Sequence, residues 1–214
     1  MCNTTVCIPR SKVCDLQKDC LNGEDEDSSL CGNVSEGAAC TFEGGLCEWT
    51  NHTGSRFHWA WHSGRTPTNN TGPTNDHTTG TPKGHYIYFE ASDRQLGDRA
   101  MIVSRVYPIP PASTWDPKSP YYHSCQVRFF YHMYGTHVHQ LKMHLSEVYI
   151  DATPVIRGRF YENYWVKAIL GNNRGVDAWL RVAVPIPRVG RRSVTPGVII
   201  IYNCSELKRK FTQN

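Results

Sequence analysis

The sequence predicts an all-β chain in which a two-sheet antiparallel sandwich follows a small disulfide-rich module. Three observations carry this. Beyond residue 38, β-branched and aromatic runs are broken by Gly, Pro, Asn and Thr, and no stretch keeps a helical period. Five cysteines crowd between Cys2 and Cys31. Residues 1–36 hold seven Asp/Glu against three Lys/Arg, whereas the rest holds twelve against twenty, so the chain divides into an acidic piece and a basic one.

The acidic piece spans residues 1–31. It has almost no apolar side chains to hide, and chain entropy costs about 1–2 kcal/mol per residue, so burial alone cannot fold it. Six carboxylates fall between residues 15 and 31. Asp15, Asp19, Asp25 and Glu26 on a cross-linked turn offer a hard-oxygen set suited to Ca2+, and without a cation they repel one another. Nine cysteines without zinc-type CxxC pairs indicate disulfides and an oxidising compartment.

The spacing of Cys2, Cys7, Ile8-Pro9, Cys14-Asp15, Asp19-Cys20, Gly23, Asp25-Glu26 and Cys31 resembles a low-density lipoprotein receptor class A module. That resemblance implies bridges Cys2–Cys20 and Cys14–Cys31, and leaves Cys7 without its partner. It also implies calcium ligation by the side chains of Asp15, Asp19, Asp25 and Glu26 and by the backbone carbonyls of Lys12 and Gln17. The family usually has an aromatic at the position of Lys12, where it packs on a captured lysine of the ligand. The odd cysteine count fits a module whose first cysteine lies upstream, and with no signal peptide before Cys2 the reading is a start inside a longer precursor.

Residues 32–37 are small and polar and form the expected linker. In the second piece, residues 38–206, the expected strands are 85–91, 101–106, 126–134, 140–150, 179–184 and 198–202. In the fourth, Leu141, Met143 and Leu145 alternate with Gln140, Lys142 and His144, the pattern of a half-solvated strand. The run 126–134 is apolar on both faces and is expected to be central. The turn-rich stretch 63–84 fits a sandwich loop, and 207–214 forms a basic, solvated tail.

The combination Cys40 with Phe42-Glu43, Cys47 with Trp49, Phe57 with Trp59, Gly72-Pro73, Asp76-His77-Thr78, Gly84-His85-Tyr86 with Tyr88, and Cys125 followed by Phe129-Phe130-Tyr131-His132-Met133-Tyr134-Gly135 resembles a MAM domain. The resemblance implies a jelly-roll sandwich with bridges Cys40–Cys47 and Cys125–Cys204. In chain-entropy reasoning the longer loop contributes about 1–2 kcal/mol more than the shorter. After Val184 the sequence departs from the family pattern, which implies a missing strand and an exposed sheet edge.

Sequons at Asn3, Asn33, Asn51, Asn69 and Asn203 mark a secretory route and candidate glycan sites. The longest apolar runs are a few residues, against about 20 for a spanning helix, so no membrane span is expected. The basic excess is scattered and forms no nucleic-acid platform. No nucleophile-elbow, zincin, phosphate-loop or dinucleotide motif occurs, and the chain is not expected to be an enzyme. His137 and His139, with His132 upstream, are open to zinc, but a turn and strand start after Gly135 is the preferred reading. Asp76 is read as a structural hydrogen-bond acceptor, the tryptophans as core, and Trp115 in its Pro-rich loop as either a contact residue or loop packing. Arg191-Arg192 reads as solvated surface.

These features point to a non-catalytic extracellular or cell-surface binding and adhesion segment that contacts other proteins or itself. The alternatives are an endocytic cargo-binding ectodomain and the non-catalytic arm of a membrane-bound protease.

Overall fold

The computed structural model describes residues 8–9, 12–13, 18–27, 38–95, 97–107, 110–119, 121–135, 138–149, 161–170, 176–188 and 194–204. The chain forms two compact units, Met1–Cys40 and Thr41–Asn214. Among the described residues of the first, a tight turn leads through Gly23 (φ 71°) into a single 3-10 turn, Glu24–Glu26. Gly23 takes a left-handed conformation that other residues adopt only with strain. The interior of this unit contains Cys20, which is disulfide-bonded, and the carboxylate residue Asp25, which is 0% exposed.

The second unit is built from nine described strands: β1 (Thr50–Asn51), β2 (Ala60–Ser63), β3 (His85–Tyr88), β4 (Arg99–Val106), β5 (Gln126–Tyr131), β6 (Val138–Tyr149), β7 (Tyr161–Leu170), β8 (Leu180–Pro185) and β9 (Val194–Cys204). A five-stranded sheet runs β1-β4-β9-β6-β7, and β2-β3 and β5-β8 form two-stranded sheets. The pairings are antiparallel. The β4–β9 register shifts between Val103 and Val106, where the pairing resumes at Gly197. Gly197 and the preceding Pro196 are the residue types that suit a ladder irregularity.

Core packing joins the five-stranded sheet to β5-β8. Met143 and Leu145 of β6 pack with Val184 of β8, and Trp49, Val127, Phe129, Val182 and Ile186 close around them. A second cluster collects Phe89, Ala91, Ala100, Met133 and Leu141, with Phe57 and Trp59 against it. Apolar side chains of β6 and β8 thus meet across the layers, as in a sandwich.

Several expectations need correction. Among the described residues the run 126–134 is not a central strand: β5 ends at Tyr131 and pairs only with β8. Its two apolar faces have a different cause, since Phe129 packs toward the core while Phe130 stacks on His77. His144 lies on the supposedly solvated face of β6 yet is buried. In the region that departs from the family pattern, β9 occupies an interior position between β4 and β6. Trp61 is not core: it is 47% exposed, with its ring stacked on His85. Strands β1, β2 and β7 were not expected, being too short or, for β7, lacking clean alternation.

Candidate functional site

Chemistry-bearing side chains gather at three places, and the first is the carboxylate turn of the smaller unit. Asp25 accepts the backbone N–H of Asp19 (2.6 Å) and of Cys20 (3.0 Å), one on each oxygen. Burial works to raise its pKa, but these backbone hydrogen bonds outweigh burial and hold the carboxyl below its ordinary value. Asp25 therefore braces the turn around the disulfide-bonded Cys20. Asp19 is less committed. Its Oδ1 pairs with the Lys12 ammonium at 2.5 Å, while its Oδ2 is buried and has no hydrogen-bond partner.

A buried oxygen without a donor is costly unless a cation neutralises it. Asp19 presents such an oxygen, with Glu26 one residue beyond Asp25, while the Lys12 ammonium neutralises part of the charge on the other Asp19 oxygen. Asp15 and Gln17 lie outside the described residues, as do Cys2, Cys7, Cys14 and Cys31. Among the described residues no group of three or more His, Cys, Asp or Glu is arranged to hold a metal.

The second place is the loop 66–84 with the aromatic group beneath it. Asp76 is nearly fully buried and accepts the N–H of Thr79 (2.6 Å), the hydroxyl of Thr79 (2.6 Å) and the N–H of Thr81 (3.1 Å). Burial opposes ionisation here, yet the four hydrogen bonds from residues 78–81 prevail and lower the pKa. Any Cβ on Gly84 would collide with this carboxylate, which explains the glycine there. Next to it His77 stacks on Phe130, and Trp179 meets His77, Tyr86 and His132 edge-on. Trp179 also donates its indole N–H to the Asn75 carbonyl (2.9 Å). His132 Nε2 bonds Asp177 at 2.9 Å, and its Nδ1 is buried without a partner. Burial lowers the pKa of both histidines, against the raising effect of Asp76 on His77 and of Asp177 on His132. These groups are internal struts: His132 is spoken for by Asp177, while His137 and the side chain of His139 lie outside the described residues.

The third place is the loop 110–124. Trp115 donates its indole N–H to the Ile186 carbonyl at 2.9 Å, so it fastens the loop to the end of β8 and does not project as a contact residue. The exposed aromatics are Tyr121 (60%) and Tyr122 (41%), the latter stacked on His123. Of the two readings of Trp115, the hydrogen bond agrees with loop packing, and the sequence reading did not single out Tyr121 or Tyr122. The signal available in the sequence is the pair of adjacent tyrosines, Tyr121-Tyr122, in a turn-rich loop.

The sulfur chemistry corrects one expectation. Cys40 and Cys47 form a disulfide. Cys125 is instead a half-buried free thiol, its pKa pushed up by burial against the lowering effect of Arg128. The expected Cys125–Cys204 bridge fails on topology. Cys204 lies opposite Val138 at the start of β6, whereas Cys125 precedes β5, six residues or about 20 Å of strand away from the turn that leads to Val138.

The sequons separate equally clearly. Asn51 spends its amide on Trp59, whereas Asn69 is exposed in a turn. The backbone of Asn203 pairs in β9, and Asn3 and Asn33 lie outside the described residues. Arg191-Arg192 and the tail 207–214 also lie outside them. No helix among the described residues is long and apolar enough to cross a membrane.

Comparison with known proteins accounts for both units. A profile of the low-density lipoprotein receptor domain class A matches residues 1–31, and one of the MAM domain, meprin/A5/mu, matches residues 40–193. Over 108 residues, half of this chain, it is 39% identical to human MAM domain-containing protein 2. It is 32% identical over 164 residues, or 74% of its length, to human MAM domain-containing glycosylphosphatidylinositol anchor protein 1. The corresponding anchor protein 2 of mouse is 38% identical over 112 residues. The matched segments amount to 14%, 15% and 11% of those proteins, none of whose names denotes a catalytic activity. MAM and class A domains are extracellular modules, and class A modules as a family bind calcium. With the profile spanning most of the sandwich unit and a class A module ahead of it, the chain belongs to the MAM domain family.

Proposed function

We propose that this chain is a non-catalytic extracellular segment whose sandwich unit makes protein–protein contacts and whose class A unit is braced by calcium. The observation that carries the reading is the loop 110–124: two exposed tyrosines on a segment already held to β8 through Trp115. Tyrosine supplies large, amphipathic contact area at a low cost in side-chain entropy. Elsewhere among the described residues the tempting polar groups are engaged internally, Asp76 by Thr79 and Thr81 and His132 by Asp177.

The calcium reading rests on the orphaned Asp19 Oδ2. Asp15, Asp19, Asp25 and Glu26 would ligate through carboxylates, and Lys12 and Gln17 through backbone carbonyls, within the six to eight oxygens calcium takes. The ion would supply the charge balance that the turn lacks. Capture of basic cargo by this unit is disfavoured, because the Lys12 ammonium already sits on Asp19.

One experiment separates adhesion from cargo capture. The full chain is coupled to beads in calcium, and both bead aggregation and uptake of polylysine are measured. Aggregation that is lost in the Tyr121→Ala, Tyr122→Ala double variant supports adhesion. Polylysine uptake that is lost in Asp19→Ala, with no aggregation, replaces it with the cargo-receptor reading.

A further inference from the structure

Asn51 and Asn69 both satisfy the N-linked acceptor rule, but the fold treats them oppositely. Asn51 lies in β1, half-buried, with its backbone paired to Ile102 of the core. Its side chain acts as a substitute ladder: Oδ1 accepts the Trp59 N–H at 2.8 Å and Nδ2 donates to the Trp59 carbonyl at 3.0 Å. Those two bonds hold the 57–59 segment, whose Phe57 and Trp59 pack on the core, beside β1. Asn69 is exposed at the tip of a turn that is complete without it. Thr71 donates its hydroxyl to the Thr68 carbonyl (3.0 Å), Thr66 donates its own to the Thr71 carbonyl (2.7 Å), and Asn70 takes the left-handed conformation (φ 56°).

We propose that Asn69 carries an N-linked oligosaccharide and that Asn51 stays bare as a structural amide. In the transfer, a bond forms between the asparagine Nδ2 and sugar C1. The C1–O bond of a lipid-diphosphate-linked oligosaccharide breaks, one Nδ2 proton is released, and the lipid diphosphate departs. At Asn69 the product projects into solvent. At Asn51 the sugar has to occupy the space beside an Nδ2 that lies against the Trp59 carbonyl, and β1 separates from 57–59. The sugar on Asn69 marks one end of the sandwich, where Gly72 donates its N–H to the Tyr134 carbonyl (3.2 Å). The Tyr121–Tyr122 loop leads into the other end of β5.

This inference rests on the secretory reading of the chain, and the test keeps the two apart. The full chain is produced by a mammalian secretory host and deglycosylated with peptide N-glycosidase in 18O-labelled water, and its peptides are mapped by mass. The expected result is label on Asn69 and none on Asn51. Asn69→Gln removes one glycan and leaves the melting temperature unchanged. Thr53→Ala destroys the Asn51 sequon but keeps the amide, and it changes neither mass beyond the substitution nor melting. Asn51→Gln leaves glycan number unchanged and lowers melting. Label on Asn51 in folded secreted protein, or an unlabelled Asn69 beside labelled sequons elsewhere, overturns the inference. A secreted chain with no label on any sequon overturns both the inference and the reading beneath it.

Discussion

The two units keep their shape by opposite means. In the class A unit the described interior is a half-cystine and a carboxylate, Cys20 and Asp25. In the sandwich it is Ile102, Met143 and Leu145, each at 1% exposure or less. The first arrangement depends on covalent and electrostatic partners. The second excludes apolar surface from water, which contributes roughly 25 cal/mol for each Å² removed. One chain therefore joins a unit whose described interior is a half-cystine and a hydrogen-bonded carboxylate with one built on apolar burial.

The sharpest way to break that contrast is to remove the partners. Reduction together with calcium chelation is expected to abolish amide protection throughout residues 18–27 while Ile102, Met143 and Leu145 remain protected, as read by hydrogen exchange. Equal loss in both units would show that the contrast is wrong. The reverse experiment truncates the core: Leu145→Ala should cost about 2–5 kcal/mol in denaturant unfolding of the sandwich, because a fully buried leucine leaves a cavity. Calcium affinity of the other unit should stay unchanged.

Smaller effects sharpen the comparison inside the sandwich. Gly84→Ala forces a methyl against Asp76, and an overpacking cost of about 1–3 kcal/mol is expected in the same unfolding measurement. The weakest effect concerns acid. His77 and His132 are held below their ordinary value of 6.5, chiefly by burial. Above that value neither the folded nor the unfolded chain carries these protons, and stability is flat. As pH falls below it the unfolded imidazoles protonate first, so the sandwich loses stability until the folded ones titrate as well. Urea midpoints measured at about pH 7.5 and about pH 5 should differ less in His132→Phe than in the parent chain. An unchanged difference would move the acid sensitivity to other groups.

Local signals made much of this legible in the sequence. The alternation of Leu141, Met143 and Leu145 marked β6 and its buried face, and the cysteine and carboxylate spacing marked the smaller unit. Signals that depend on the partner surface were not legible. His144 occupies a polar position by alternation, yet the packing around it buries the ring. Phe130 reads locally as a residue of a central strand, because nothing local reveals that His77, more than fifty residues earlier, covers it. The choice between Trp115 and Tyr121–Tyr122 turned on one long-range hydrogen bond to Ile186. The free thiol of Cys125 likewise followed from strand length and register, which cysteine counting does not contain.

Strand β9 carries a consequence for biosynthesis. It is the last described strand to leave the ribosome, yet it fills the slot between β4 and β6. Until residues 194–204 emerge, those two strands have no ladder connecting them, and the apolar faces that later meet are left without their sheet. Closure must wait for contacts spanning about half the chain, the kind that form slowly and leave unpaired edges open to chaperones and to neighbouring nascent chains.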